Sequence, residues 1–140
     1  MPDFKALFSA VLLLLTLLSS PLSAAQSVWT PLAEQIITEL EQAEQHYRSG
    51  DSQAAKRAVI KAYFGIFESR KMEAAMRMEL GARHTYKVER RFGQIRKAVK
   101  KALDADAVAE QIAELSVALR RDAEKLDTAA IPAEVFKVNQ

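Results

Sequence analysis

Apolar residues recur at helical spacing along most of this chain. Leu32, Ile36, Leu40, Ala43 and Tyr47 follow at steps of three or four, the repeat that lines one face of a helix. Thr30 and Pro31 read as its N-cap and first-turn proline. Ser49-Gly50-Asp51 ends it: Gly50 suits a left-handed terminal position, and Asp51 can cap the next helix. The second stripe is Ala55, Ala58, Val59, Ala62, Tyr63 and Ile66, with Phe64 and Phe67 widening the apolar arc. Glu68-Ser69-Arg70-Lys71 interrupts the pattern, with Ser69 as the expected cap of the helix after it. Met72, Ala75, Met76 and Leu80 resume it up to Gly81, a candidate break or kink because glycine weakens a helix interior. Thr85, Val88, Phe92, Ile95, Val99 and Ala102 form a near-heptad seam. Leu103-Asp104-Ala105-Asp106 is the next turn, capped by Asp104 or Asp106, and Val108, Ile112, Leu115, Leu119, Ala123 and Leu126 make the last stripe. No segment alternates as a strand would.

Short connections between such stripes favour antiparallel neighbours. The expected fold is therefore all-α, an antiparallel up-down four-helix bundle over residues 26–127, its third helix kinked near Gly81. Residues 128–140 form a tail, expected to be loose or laid on the surface.

The first 25 residues have a different pattern. Lys5 precedes an uncharged apolar stretch from Ala6 to Leu18, and Ser23-Ala24-Ala25 follows the helix-breaking Pro21. That is the layout of a cleavable signal peptide. The apolar stretch is short for a spanning helix, which needs about 20 residues. A periplasmic protein with no transmembrane segment in its mature part is expected, with no nucleic acid as natural partner.

Composition narrows the chemistry. The chain has no cysteine and only two histidines, His46 and His84. Disulfides, thiolate zinc sites and c-type haem attachment are excluded. There is no G-x-S-x-G, no glycine-rich phosphate loop and no H-E-x-x-H, so an enzyme is not expected. Haem is not expected either, because Met72 and Met76 belong to the core stripe.

Carboxylates offer more. Glu68 and Glu73 flank the interruption that follows Tyr63, Phe64 and Phe67, and Glu89 adjoins the seam residue Val88. A broken helix and an edge position on another can gather these three acids at one end of a bundle. Carboxylates on facing helices are how bundles hold iron or manganese. The Glu-x-x-His pair of di-iron bundles is absent, and the competing assignment is ordinary salt bridging to Arg70, Arg77 and Arg96.

Charge is segregated although the net charge is only +2. Residues 83–101 carry eight cations (Arg83, Lys87, Arg90, Arg91, Arg96, Lys97, Lys100 and Lys101) against one acid, Glu89. Such a helix can meet an acidic partner or an anionic membrane surface. The favoured expectation is that it is neutralised inside the fold by Glu34, Glu39, Glu41 and Glu44 of the first helix and Asp122, Glu124 and Asp127 of the last.

The run Gly50-Asp51, Ala54-Ala55, Val59, Ala62-Tyr63-Phe64, Phe67-Glu68, Met72-Glu73-Ala74-Ala75, Glu89, Phe92 and Ile95-Arg96 resembles the extracytoplasmic helical domain of oxidase-dependent bacterial iron permeases. The resemblance spans roughly residues 31 to 127. The permease's membrane motif Arg-Glu-x-x-Glu and its membrane helices are absent, so the chain is similar only to the soluble part. The resemblance implies a periplasmic accessory protein of metal uptake, for iron or another divalent metal, working with a membrane iron permease or other uptake component. Glu68, Glu73 and Glu89 match the family pattern at their positions; from their own chemistry they would bind or present the ion or dock to a transporter, and Tyr63 and Arg77 would orient them. The alternative is a non-catalytic module that binds an acidic partner or anionic membrane through Arg83, Lys87, Arg90, Arg91, Lys97, Lys100 and Lys101.

Overall fold

The computed structural model of the chain describes residues 27–136; the expected leader, residues 1–25, lies outside them. The described part is all-helical, 83% helix with no strands. Five α-helices run in the order α1 (Trp29–Arg48), α2 (Ser52–Ile60), α3 (Met72–Glu79), α4 (Ala82–Lys100) and α5 (Ala105–Thr128). A π-helical segment, Lys61–Glu68, continues directly from α2, and a 3-10 turn, Ala133–Phe136, follows α5. No described helix is long and apolar enough to cross a membrane.

The apolar stripes become the core. Leu32, Ile36, Leu40 and Ala43 of α1 are buried, as are Val108, Ile112, Leu115, Leu119, Ala123 and Leu126 of α5. α1 packs against both α2 and α5, while α4 packs against α5, α2 and α3. Each fully buried Leu or Ile contributes about 1.5–3 kcal/mol relative to exposure.

Three local details depart from the expectations of the sequence. The first helix starts at Trp29, with Val28 at the cap position and no side-chain cap of its own. Thr30 and Pro31 therefore lie inside the first turn, where the missing proline N–H costs nothing. The cap comes from Asp127 instead, whose carboxylate accepts from the backbone N–H groups of Val28, Trp29 and Thr30, each at 2.9 Å. Ser69 does not cap α3: its hydroxyl turns back to the Gly65 carbonyl, and Lys71, at φ 67°, stands at the cap position. Ala102 falls beyond α4 in a left-handed turn and is exposed, so the seam ends at Val99. Of the two alternatives for the tail, its start follows the second: Ile131 and Ala133 lie against the core, and the Ile131 carbonyl accepts from the Trp29 indole at 2.6 Å.

Three capping expectations agree with the structure. Gly50 has φ 87° at the end of α1, and Asp51 caps α2 by accepting from the Ala54 N–H at 2.8 Å. Asp104 caps α5 through Asp106 N–H. Between α3 and α4 stand Leu80 and Gly81, the latter at φ 88° and ψ 153°.

The π segment changes which face of its helix is buried. A π-helix bonds residue i to i+5 and so carries more residues per turn. Five residues separate the fully buried Ala62 from the fully buried Phe67, while Ile66 is only half-buried. An α-helical continuation would have buried Ile66 in its stripe. The wide turn puts Phe67 there and leaves Phe64 half exposed.

Candidate functional site

Three elements meet where the π segment ends. Tyr63 stacks on Phe67 with ring centroids 5.9 Å apart and lies 5.2 Å from Phe92 of α4. Phe67 and Phe92 are 5.3 Å apart, so these three rings form a closed aromatic floor. Ser69, Arg70 and Lys71 then turn the chain, and α3 begins with Glu73 in its first turn. The turn brings Glu73 to the flank of α4 that carries Glu89.

A single guanidinium joins these two acids. Arg77, one turn after Glu73, donates from Nη2 to Glu73 Oε1 at 2.6 Å and to Glu89 Oε1 at 3.1 Å. Both carboxylates are mostly sheltered, with side chains 21% and 18% exposed, while Arg77 is half in solvent. Burial holds the Glu89 carboxyl above its ordinary range, the adjacent Glu73 carboxylate adds to this, and Arg77 opposes it. Burial also raises the Tyr63 phenol, and the charges of Glu89, Glu73 and Glu68 push it the same way. Tyr63 is thus within electrostatic reach of all three glutamates.

Glu68 is placed differently from the other two. It lies exposed at the end of the π segment, acts on Tyr63 through its charge alone, and makes no contact with Arg77. Of the cations near these acids, Arg77 forms ion pairs, whereas Arg70 and Arg96 form none among the described residues. Among the described residues no three His, Asp or Glu side chains gather as a ready ligand set. Two carboxylates converge on Arg77, and Tyr63 shares a cleft with Glu89; carboxylate and phenol are hard oxygens suited to iron, manganese or magnesium. Arg77 now supplies the positive charge that a metal ion would.

Beside Glu89 opens a cleft of about 200 Å³ between the π segment and α4. Tyr63, Phe64 and Phe92 give it aromatic walls, and Gly93 and Arg96 complete its α4 side. Gly93 is exposed and lies off the buried seam of α4, and helical periodicity gives no sign that it borders a cleft.

The basic helix is not neutralised by its acidic neighbours. Glu34 of α1 takes Arg120 of α5 in a two-pronged pair at 2.7 and 2.9 Å, which lowers its carboxyl below the ordinary range. Glu44 takes Arg48, and Glu39 takes Lys61. Asp122, fully buried, is held by His84 at 2.7 Å and Arg121 at 3.2 Å. Arg83, Lys87, Arg90, Lys97, Lys100 and Lys101 are exposed, and among the described residues none is in an ion pair. Arg91 is half-buried and donates to the Glu114 carbonyl at 3.2 Å. Internal complementarity therefore does not account for this face.

Compared with known families, with curated proteins and with solved structures, the chain gives no match.

Proposed function

We propose that the protein is a periplasmic accessory domain of metal uptake, with iron the leading candidate, and that Glu73, Glu89 and Tyr63 hold the ion when Arg77 gives way. The observation that carries this reading is one arginine nitrogen shared by two sheltered carboxylates from different helices. Two such carboxylates repel unless a cation stands between them. Arg77 fills that role on an exposed, flexible side chain, so an arriving ion can displace it. Glu68, at the exposed rim, would complete the oxygen set by swinging inward. The resemblance to the soluble part of iron permeases supports the same reading and supplies the partner, a membrane uptake component.

In this reading the helices form an antiparallel four-helix bundle. α2 and its π extension are one rod, and α3 with α4 are another, bent at Gly81. The leader would deliver the domain to the periplasm.

Isothermal titration with ferrous, ferric, manganous and cupric ions tests the site. Saturable heat is expected for at least one ion, with loss of binding in the triple variant E68Q/E73Q/E89Q. Tighter binding is expected in R77Q, which removes the competing cation. Circular dichroism confirms that each variant is folded. Identical titrations for wild type and the triple variant with every ion would end the metal reading.

A further inference from the structure

The cations of α4 that pair with no described acid are arranged along a line. At 3.6 residues per turn, Arg83, Lys87, Arg90 and Lys97 share one arc with Tyr86, and Lys101 extends the row at the helix end. The opposite arc is Thr85, Val88, Phe92, Ile95 and Val99, all buried. The basic arc therefore points straight away from the core. A 19-residue helix makes the row about 27 Å long. Glu89, the one acid of α4, stands on the flank and is engaged by Arg77.

We propose that the outward face of α4 rests on an anionic phospholipid surface. Two features favour a lipid surface over a folded acidic protein. First, protein interfaces close around an apolar core inside a polar rim, and the only large apolar side chain on this arc is Tyr86, 58% exposed. Second, a straight row of flexible cations needs no shaped counterpart. Headgroup charge is spread over a plane, and tyrosine settles at the membrane–water boundary. This proposal is independent of the metal reading, because it uses none of Tyr63, Glu73, Arg77 or Glu89.

Co-sedimentation of the full chain with lipid vesicles tests it. The readout is the ratio of partition coefficients onto phosphatidylcholine vesicles with 30% phosphatidylglycerol and onto pure phosphatidylcholine, so that the apolar segment before residue 19 contributes equally to both. Each lysine or arginine near an anionic surface contributes about fivefold. The ratio should therefore fall about a hundredfold in K87Q/R90Q/K97Q and stay near wild type in R57Q/R70Q/K125Q, which loses the same charge elsewhere. It should also collapse as salt rises from 50 to 500 mM, since screening shortens the reach of exposed charge. An unchanged ratio in the α4 variant, or an equal fall in the control, would overturn the proposal. Soluble poly-glutamate that removes the protein from vesicles at equal charge concentration would assign the face to an acidic protein instead.

Discussion

Asp127, near the end of α5, holds Thr30, in the first turn of α1, by two bonds: the Thr30 backbone N–H donates to Oδ2 at 2.9 Å and its hydroxyl donates to the same oxygen at 2.6 Å. The Ser27 hydroxyl also donates to that oxygen, at 2.7 Å. One carboxylate thus satisfies the free N–H groups of a helix that begins about a hundred residues earlier. Its negative charge sits where a helix start favours one.

Asp127→Ala should destabilise the fold by about 2 kcal/mol, at the upper end for loss of a helix cap because several donors are orphaned together. Asp127→Asn should cost less, since one oxygen remains as an acceptor. Urea denaturation followed by circular dichroism measures both. A loss below about 0.5 kcal/mol for the alanine variant would mean that water replaces the cap.

The same carboxylate makes stability acid-sensitive. Although burial opposes it, the donors from Thr30, Ser27 and Trp29 bring the Asp127 pKa down from 3.8 to about 2. A depressed carboxylate stabilises the folded state above its unfolded pKa, and that stability is lost as pH falls from about 4 through about 2. The contribution at neutral pH is about 1–2 kcal/mol after discounting for partial solvent access. Asp127→Asn should flatten this part of the stability–pH curve. A variant whose curve keeps the wild-type slope between pH 4 and 2 would place the acid sensitivity elsewhere.

Glu89 should behave in the opposite sense. Its carboxyl is raised above 4.5, so its contribution favours folding while it is protonated and is lost as pH rises through the folded value. Glu73→Gln removes the neighbouring negative charge and should lower the Glu89 pKa without restoring it fully, because burial remains. Arg77→Gln should raise it further. Carboxyl carbon shifts followed by NMR titration report both directions, and two shifts of the same sign would contradict the shared-guanidinium arrangement.

Two glycines should respond oppositely to alanine. Gly81 has φ 88° and ψ 153° with open space around its missing Cβ, so the cost of Gly81→Ala is backbone strain alone, about 1–3 kcal/mol. Gly93 lies inside α4, also with nothing within 4 Å. Gly93→Ala should stabilise by about 0.5–1 kcal/mol through helix propensity. Thermal melts of the two variants should move in opposite directions.

Most helices are legible because burial repeats locally. The stripes of α1 and α5 need only the spacing of leucine, isoleucine and alanine, and Gly50, Asp51 and Asp104 announce their turns by residue type. The π segment is not legible, because the choice between Ile66 and Phe67 depends on which side chain meets Phe92 across the interface. The meeting of Glu73 with Glu89 is foreshadowed by the interruption before α3. The shared Arg77 nitrogen and the outlying position of Glu68 depend on how that turn is wound.

Periodicity, helix-breaking residues and the segregation of charge are properties of neighbours along the chain, so sequence alone determined that this protein is helical, where most helices begin and end, and that one helix is basic. Partnerships between distant residues were decided only by tertiary structure. Asp127 could have capped nothing, and the acids of α1 could have neutralised α4. Charges and orphaned N–H groups take whatever partner the packed helices bring within about 3 Å. Packing gave Thr30 to Asp127 and Arg120 to Glu34, and left the cations of α4 facing outward.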